Sequence, residues 1–266
     1  MNNLLPPLTY QGGKQRIASQ IIDHINPDGQ FHDLCCGSGA ISIELINRGH
    51  DPKNIVMLDW SPWGLFWKAI GEGTFNVNLL LKYINDIPVD PRLIQSYIKE
   101  LSKQPADIDT IYVYLLLQAS SFGGKSIWIK DNKWQNCSFR SYWEPTATSN
   151  RRSHVNPMMP MPKTLFERVV VLCEKMVGIK GLCQNIKEYI PENGIVYIDP
   201  PYKGTTFYGN SFNLIEYINN IKLKTYVSEG CQLSEKALLI SNVRKKGGIS
   251  GDRQNFNEEW LNEFNY

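Results

Sequence analysis

Between Gln30 and Asp59 the chain alternates strand and helix signals around a glycine-bearing turn. Gln30-Phe-His-Asp-Leu34 reads as a short strand. Gly39 to Arg48 reads as a helix with apolar positions at Ile41, Ile43, Leu45 and Ile46, and Asn54-Ile-Val-Met-Leu58 as a second strand. A β-α-β unit of this kind is the mark of an α/β sheet. Between its first strand and its helix lies Cys35-Cys36-Gly37-Ser38-Gly39, at the place where such sheets bind nucleotide-like ligands. Asp59 closes the second strand about twenty residues on, where a carboxylate accepts both hydroxyls of a ribose. The plainer alternative is a tight turn at Gly37 and Gly39 and a helix cap at Asp59.

A later strand ends in chemistry. The apolar run Gly194-Ile-Val-Tyr-Ile198 leads into Asp199-Pro200-Pro201-Tyr202, which sets a carboxylate, a rigid carbonyl and an aromatic face side by side. An exocyclic amine delocalises its lone pair into its ring and becomes nucleophilic only when acceptors draw on its two N–H groups. Asp199 supplies one acceptor. Pro200, with φ fixed and no donor of its own, holds its carbonyl as the second, Pro201 stiffens the turn, and Tyr202 can stack on the ring. The same four residues would also serve as a plain strand terminus.

The middle of the chain interrupts the alternation. Phe75 to Lys103 reads as helical, punctuated by Pro88, Pro91 and Pro105, and Thr110 to Ala119 as an apolar helix or strand. A polar, aromatic stretch then runs to Pro162, and its proline-rich end from Asn156 is expected to be extended. Residues 75–162 are therefore expected to form an insertion, mostly helical or irregular, in a domain made of 1–74 and 163–266. Its second part should hold a helix over Lys163 to Met176, strands near Ile179 to Cys183 and at Ile195 to Ile198, and a helix from Asn213 to Leu223. A strand over Lys236 to Ser241 and a short helix over Glu258 to Phe264 complete it.

With 266 residues, 42% of them hydrophobic, the chain can bury a sizeable core. No apolar stretch approaches the roughly 20 residues that cross a bilayer, and the N-terminus lacks a charged-then-apolar signal, so a cytoplasmic protein is expected. Six cysteines without a C-x-x-C pair and four scattered histidines (His24, His32, His50, His154) predict reduced thiols and no metal site. A net charge of +2 is too mild to announce a polyanion partner. Its distribution says more, because Lys125, Lys130, Lys133, Arg140, Arg151, Arg152, Lys163 and Arg168 face only Asp131, Glu144 and Glu167 between Ser120 and Val170. Phe122, Trp128, Trp134, Phe139, Tyr142 and Trp143 interleave with these cations, as a surface that neutralises phosphates and stacks on bases requires. Lys125, Arg140, Arg151 and Arg152 are the candidate DNA-binding residues, the last two being the foremost phosphate partners. A solvated loop packed by its own aromatics would read alike.

Taken together, these residues resemble the D12, or Dam-like, class of adenine-N6 DNA methyltransferases. Tyr10-Gln-Gly-Gly-Lys14, Phe31-His-Asp-Leu-Cys-Cys-Gly-Ser-Gly-Ala-Ile41, Leu58-Asp59 and Tyr197-Ile-Asp-Pro-Pro-Tyr202 occur in the family's order, and Ser241-Asn242 is similar to a late motif. The order is the α arrangement, in which the insertion recognises the target. The resemblance implies a Rossmann-like S-adenosylmethionine-dependent methyltransferase sheet carrying a target-recognition subdomain. It also implies S-adenosylmethionine as cofactor and double-stranded DNA as partner, in the cytoplasm of a bacterial cell or a phage-infected host; nothing in the sequence constrains the oligomeric state, for which a monomer is the default. Tyr10, Gly12, Gly13 and Lys14 would line the methionine end of the donor, with Lys14 facing its carboxylate. Gly37 and Gly39 would let the backbone approach. Asp33 would meet the amino group, Asp59 the ribose, and Asp199 would border both donor and target amine. Asn185 would lie near the adenine, where the family often has aspartate, a departure that predicts weaker or retuned binding. The insertion departs further, reading Ser120-Ser-Phe-Gly-Gly-Lys125 where Dam-like enzymes commonly carry an Asn-Gly-containing segment, so no target sequence is carried over.

Competing readings remain at this stage. Cytosine-N4 transfer uses the same amine chemistry, usually with Ser in place of Asp199. RNA and protein-glutamine enzymes share the fold, typically with Asn-Pro-Pro-Tyr or related forms. A silent nucleic-acid-binding homologue would keep the fold without turnover.

Overall fold

The computed structural model of the chain describes residues 3–200, 213–244 and 256–266, without the side chains of 243, 244, 256 and 257. Pro201 and Tyr202 lie outside the described residues. Strands β1 (Phe31–Leu34), β2 (Ile55–Leu58), β5 (Lys180–Leu182), β6 (Ile195–Ile198), β7 (Thr225–Glu229), β8 (Lys236–Arg244) and β9 (Phe256–Phe264) form one sheet, in the order β5-β2-β1-β6-β7-β9-β8. The first five are parallel, and β9 runs antiparallel to both its neighbours. Phe-His-Asp-Leu in β1 and Ile-Val-Met-Leu in β2 are buried at every position, as central parallel strands covered on both faces must be.

Two layers flank the sheet. On one face Phe31, Ile55, Met57, Tyr197, Tyr226 and Leu261 pack with α1 (Ala18–Ile25), α2 (Ala40–Asn47) and α3 (Pro62–Gly71). On the other, Leu34, Leu58, Val196, Ile198 and Val227 meet Tyr217, Ile218 and Ile221 of α8 (Leu214–Ile221). Residues 75–162 supply α4 (Val77–Asn85), α5 (Pro91–Leu101), α6 (Thr110–Ser120) and a small hairpin of β3 (Trp128–Lys130) and β4 (Lys133–Gln135). Pro91 opens α5 at its first turn, with the Asp90 carboxylate accepting from the Arg92 N–H at 2.9 Å. Thr110 to Ser120 is a helix rather than a strand, buried from Tyr112 to Ser120, and apolar all round as a core helix is. It shares one apolar cluster with Trp63, Phe66 and Trp67 of α3 and with Leu165, Val169 and Leu172 of α7 (Pro162–Lys175).

Two sheet elements differ from the sequence reading. Glu258 to Phe264 is not a helix but part of β9, because β7 and β8 offer it backbone partners along its length. β7 was not anticipated, since Thr-Tyr-Val-Ser-Glu mixes polar and apolar residues, yet all five are buried between β6 and β9. No helix among the described residues is long and apolar enough to cross a membrane, and these residues hold no cluster of His, Cys, Asp or Glu able to bind a metal.

Candidate active site

The order of strands in the sheet reverses between β1 and β6. From β1 the chain builds outward through β2 to β5 on one side, and from β6 to β7 on the other, so the carboxyl ends of β1 and β6 flank a crevice where open α/β sheets receive ligands. Leu34 pairs with Ile198, and the Asp199 N–H donates to the Leu34 carbonyl at 3.2 Å. The glycine turn and Asp199 therefore leave adjacent strands side by side.

The turn itself is wired from three directions. Cys35 takes a left-handed conformation, φ 63°, uncommon for a side chain of its kind, and the Cys36 N–H donates to the Leu58 carbonyl at 3.0 Å. The Gly37 N–H donates to Asp59 Oδ2 at 2.9 Å, while Trp67 Nε1 donates to the Gly37 carbonyl at 2.8 Å. Gly39 has φ +75°, and a Cβ there would stand 2.5 Å from Trp67 Cζ2 and 2.7 Å from Met57 Cε, so the position admits glycine alone without rearrangement. Asp59 Oδ1 accepts from the Ser61 N–H at 2.9 Å and from its hydroxyl at 2.6 Å. Burial raises the Asp59 carboxyl, against the pull of the Ser61 and Gly37 donors. Asp59 thus fastens the turn to the end of β2, a role its place in the sequence did not reveal.

Tyr10 to Lys14 folds over the same turn. The Tyr10 hydroxyl donates to Ser126 Oγ at 2.9 Å, its ring meets Trp63 edge to face at 5.9 Å, and a Cβ on Gly37 would lie 3.3 Å from it. Gly12 has φ +81°, and a Cβ on Gly13 would sit 3.0 Å from the Tyr10 carbonyl. The two glycines let the chain double back and deliver Lys14 to the crevice. There the buried ammonium donates to Asp199 Oδ1 at 2.7 Å and Oδ2 at 2.8 Å, and to the Gly12 carbonyl at 3.0 Å. Glu259 Oε1 stands 3.6 Å away. Burial works against the lysine's charge, but Asp199 and Glu259 outweigh it, and its pKa is raised. Sequence placed Lys14 and Asp199 in one site, but not in contact.

The carboxylates around this lysine are held high. Burial raises Asp199, Lys14 draws it down, and Glu259 and Glu229 push it up again, leaving it at about 6. Asp33 is buried on β1 with Oδ2 accepting from the Ser42 hydroxyl at 2.7 Å, and burial brings it to about 7. Asn185 follows β5, where its side chain accepts from the Lys187 N–H at 3.1 Å and caps the short helix Ile186–Glu188. Pro200 is buried beside Asp199. The sequence reading missed Glu259 here, because a helix was expected over it.

Of the four basic candidates, two adjoin one loop system. The Arg140 N–H donates to the Ser120 carbonyl at 2.9 Å and the Gln11 N–H to the Gly124 carbonyl at 2.9 Å, so Lys125 and Arg140 lie on the strip that borders the Tyr10 motif. Lys125 is exposed. The Arg140 guanidinium is half-buried, burial lowers its pKa, and its NH1 has no hydrogen-bond partner among the described residues. Arg151 and Arg152 are exposed in a separate loop closed by the Trp143–Val155 bridge, where Arg151 Nε donates to the Ser153 carbonyl at 2.8 Å.

No curated protein matches the chain. A mostly parallel α/β sheet of this order is consistent with the fold of S-adenosylmethionine-dependent methyltransferases. Residues 10–115, which run from the Tyr10 motif through the glycine turn and Asp59 into α6, match the model of the D12 class N6 adenine-specific DNA methyltransferase family, enzymes of S-adenosylmethionine-dependent adenine-N6 methylation.

Proposed function

We propose that the crevice between β1 and β6 binds S-adenosylmethionine and a flipped adenine together, and that the chain methylates the adenine N6 of duplex DNA. The observation that carries this reading is the adjacency of Asp199 and the glycine turn across the Leu34–Ile198 pair. The acceptors gathered there fit the donor molecule: Asp33 for its ammonium, Asp59 for ribose hydroxyls, Asn185 near the adenine, and the backbone of Gly37 and Gly39 for close approach. Gly12, Gly13 and Tyr10 shape the wall beside them.

The bound sulfonium supplies an electrophilic methyl with a good leaving group. The protein's task is alignment and removal of water. Asp199 and the Pro200 carbonyl accept the two N6 hydrogens, which favours a pyramidal nitrogen and directs its lone pair at the methyl. As the new N–C bond forms, N6 acidifies and its proton passes to Asp199. Pro201 and Tyr202, outside the described residues, complete the turn and the stacking face in this reading. Residues 75–162 form the recognition part, with Lys125 and Arg140 beside the catalytic crevice and Arg151 and Arg152 further out on the phosphates. The Arg140 guanidinium supports this, since its buried NH1 has no hydrogen-bond partner among the described residues and would gain from an incoming anion.

With labelled donor and adenine-containing duplex, Asp199→Asn is expected to lower turnover by about 100-fold or more while donor binding persists, because one N6 acceptor oxygen becomes a donor. Wild-type turnover in the variant, or label on cytosine, would sink the assignment.

A further inference from the structure

Lys14 occupies the place that the reaction needs. Its ammonium donates to both oxygens of Asp199, at 2.7 and 2.8 Å, and one of these is the acceptor that an incoming amine must use. Lysine and target amine therefore compete for one carboxylate. Pulling a buried ammonium off its counter-ion without a replacement costs several kcal/mol, enough to stall a catalytic cycle.

A replacement stands next to it. Glu259 Oε1 is 3.6 Å from Nζ, a looser ion pair than the 2.7 and 2.8 Å contacts to Asp199, and a small rotation at the end of the lysine side chain would tighten it. Asp199 and Glu259 are the two carboxylates whose charge raises Lys14. Glu259 sits in the middle of β9 opposite Ser241, two residues before the buried Leu261, so its side chain shares the sheet face that carries Tyr197 and Tyr226. The register between β8 and β9 shifts between Leu239 and Ser241, and irregularities of this kind re-aim side chains next to active sites. Glu259 is largely buried, with 15% of its side chain exposed, so an ion pair there is little weakened by solvent. The Gly12 carbonyl, 3.0 Å from Nζ, anchors the ammonium while it turns.

We propose that Glu259 is a positioning residue for methyl transfer: it receives the Lys14 ammonium when the target base enters, which frees the Asp199 carboxylate for its one hydrogen bond to the amine. The inference rests on the adenine-N6 reading above and adds a two-position lysine to it. No bond is made or broken in the exchange, and the charge of the site is conserved.

The test measures kcat on adenine-containing duplex at saturating donor, together with donor affinity by calorimetry. The proteins are wild type, Glu259→Gln, Glu259→Asp, Lys14→Met and the Glu259→Gln/Lys14→Met double variant. Glu259→Gln is expected to lose about tenfold in kcat with donor affinity within about twofold of wild type, and Glu259→Asp, which keeps the carboxylate, to recover to within about threefold. Without the ammonium there is nothing to receive, so the loss from Glu259→Gln should shrink to under about threefold in the Lys14→Met background. Equal losses in both backgrounds, wild-type kcat in Glu259→Gln, or a parallel loss of donor affinity would each overturn the proposal. Should Lys14→Met be silent, the Glu259→Asp arm decides, recovery supporting the exchange and its absence overturning it. An inactive wild type refutes the adenine-N6 reading itself, whereas an active wild type beside an unaffected Glu259→Gln removes Glu259 alone.

Discussion

Gly39→Ala tests whether the glycine turn is shaped by the walls around it. At φ +75° an alanine enters the left-handed region, at a cost of about 1–2 kcal/mol. Its Cβ would then meet Trp67 Cζ2 at 2.5 Å and Met57 Cε at 2.7 Å. The thioether end can yield, but Trp67 is fully buried, stacked on Trp63 and tied through Nε1 to the Gly37 carbonyl. Overpacking against such a wall adds about 1–3 kcal/mol, for a total of about 2–5 kcal/mol. In a chain of this size that lowers Tm by roughly 5–15 °C. Gly37→Ala is the control, because φ +50° carries the left-handed cost while its Cβ would meet, among the described residues, only the Tyr10 ring, at 3.3 Å, so about 1–2 kcal/mol is expected. Urea unfolding followed by tryptophan fluorescence gives both values, and titration with S-adenosylmethionine should show the Gly39 variant losing donor affinity as well. A Gly39 variant no less stable than the Gly37 variant would refute the argument from the Trp67 wall.

Two further outcomes follow from the charges. Asp33 at about 7 and Asp199 at about 6 both lie above the ordinary carboxylate value of 3.8, so between about pH 4 and 7 the folded chain binds more protons than the unfolded one. Their contribution to stability is complete below pH 4 and is lost as pH rises through 6 and 7; unfolding at stepped pH should show this fall, and Asp33→Asn should flatten its upper part. Arg140→Ala should weaken duplex binding and reduce the salt slope by about one, measured by fluorescence anisotropy across salt concentrations, and a slope equal to wild type would exclude Arg140 from the phosphates.

Much of the sheet was legible because strand signals in a parallel core are local. Apolar runs at Ile55–Leu58 and Ile195–Ile198, each bounded by turn residues, declare themselves without reference to any neighbour. Of the C-terminal pair β8 and β9, the strand over Lys236 to Ser241 was legible and its partner was not. Glu258 to Phe264 carries three acidic side chains and one tryptophan, and its conformation is set by the backbone groups of β7 and β8, which are distant in sequence. For the same reason Glu259 went unseen, although the Asp199 it faces was read from the sequence. Asp59 was singled out by its spacing and Lys14 by the family resemblance, yet their partners, the Gly37 amide and the Asp199 carboxylate, emerge only from geometry. Arg151 was legible as an exposed cation but not in its conformation, since its guanidinium donates to the Ser153 and His154 carbonyls of its own loop.

The strip that borders the catalytic crevice is fastened through peptide groups and one glutamine. The Gln11 N–H reaches the Gly124 carbonyl, and the Gln118 amide spans the Lys125 carbonyl at 2.9 Å and the Ile127 N–H at 3.0 Å. None of these bonds uses the side chain of Phe122 or Lys125. Those two side chains can accordingly be exchanged with the fastening of the strip left intact, and under the proposed function that makes them the first positions to vary in a library screened for altered DNA preference.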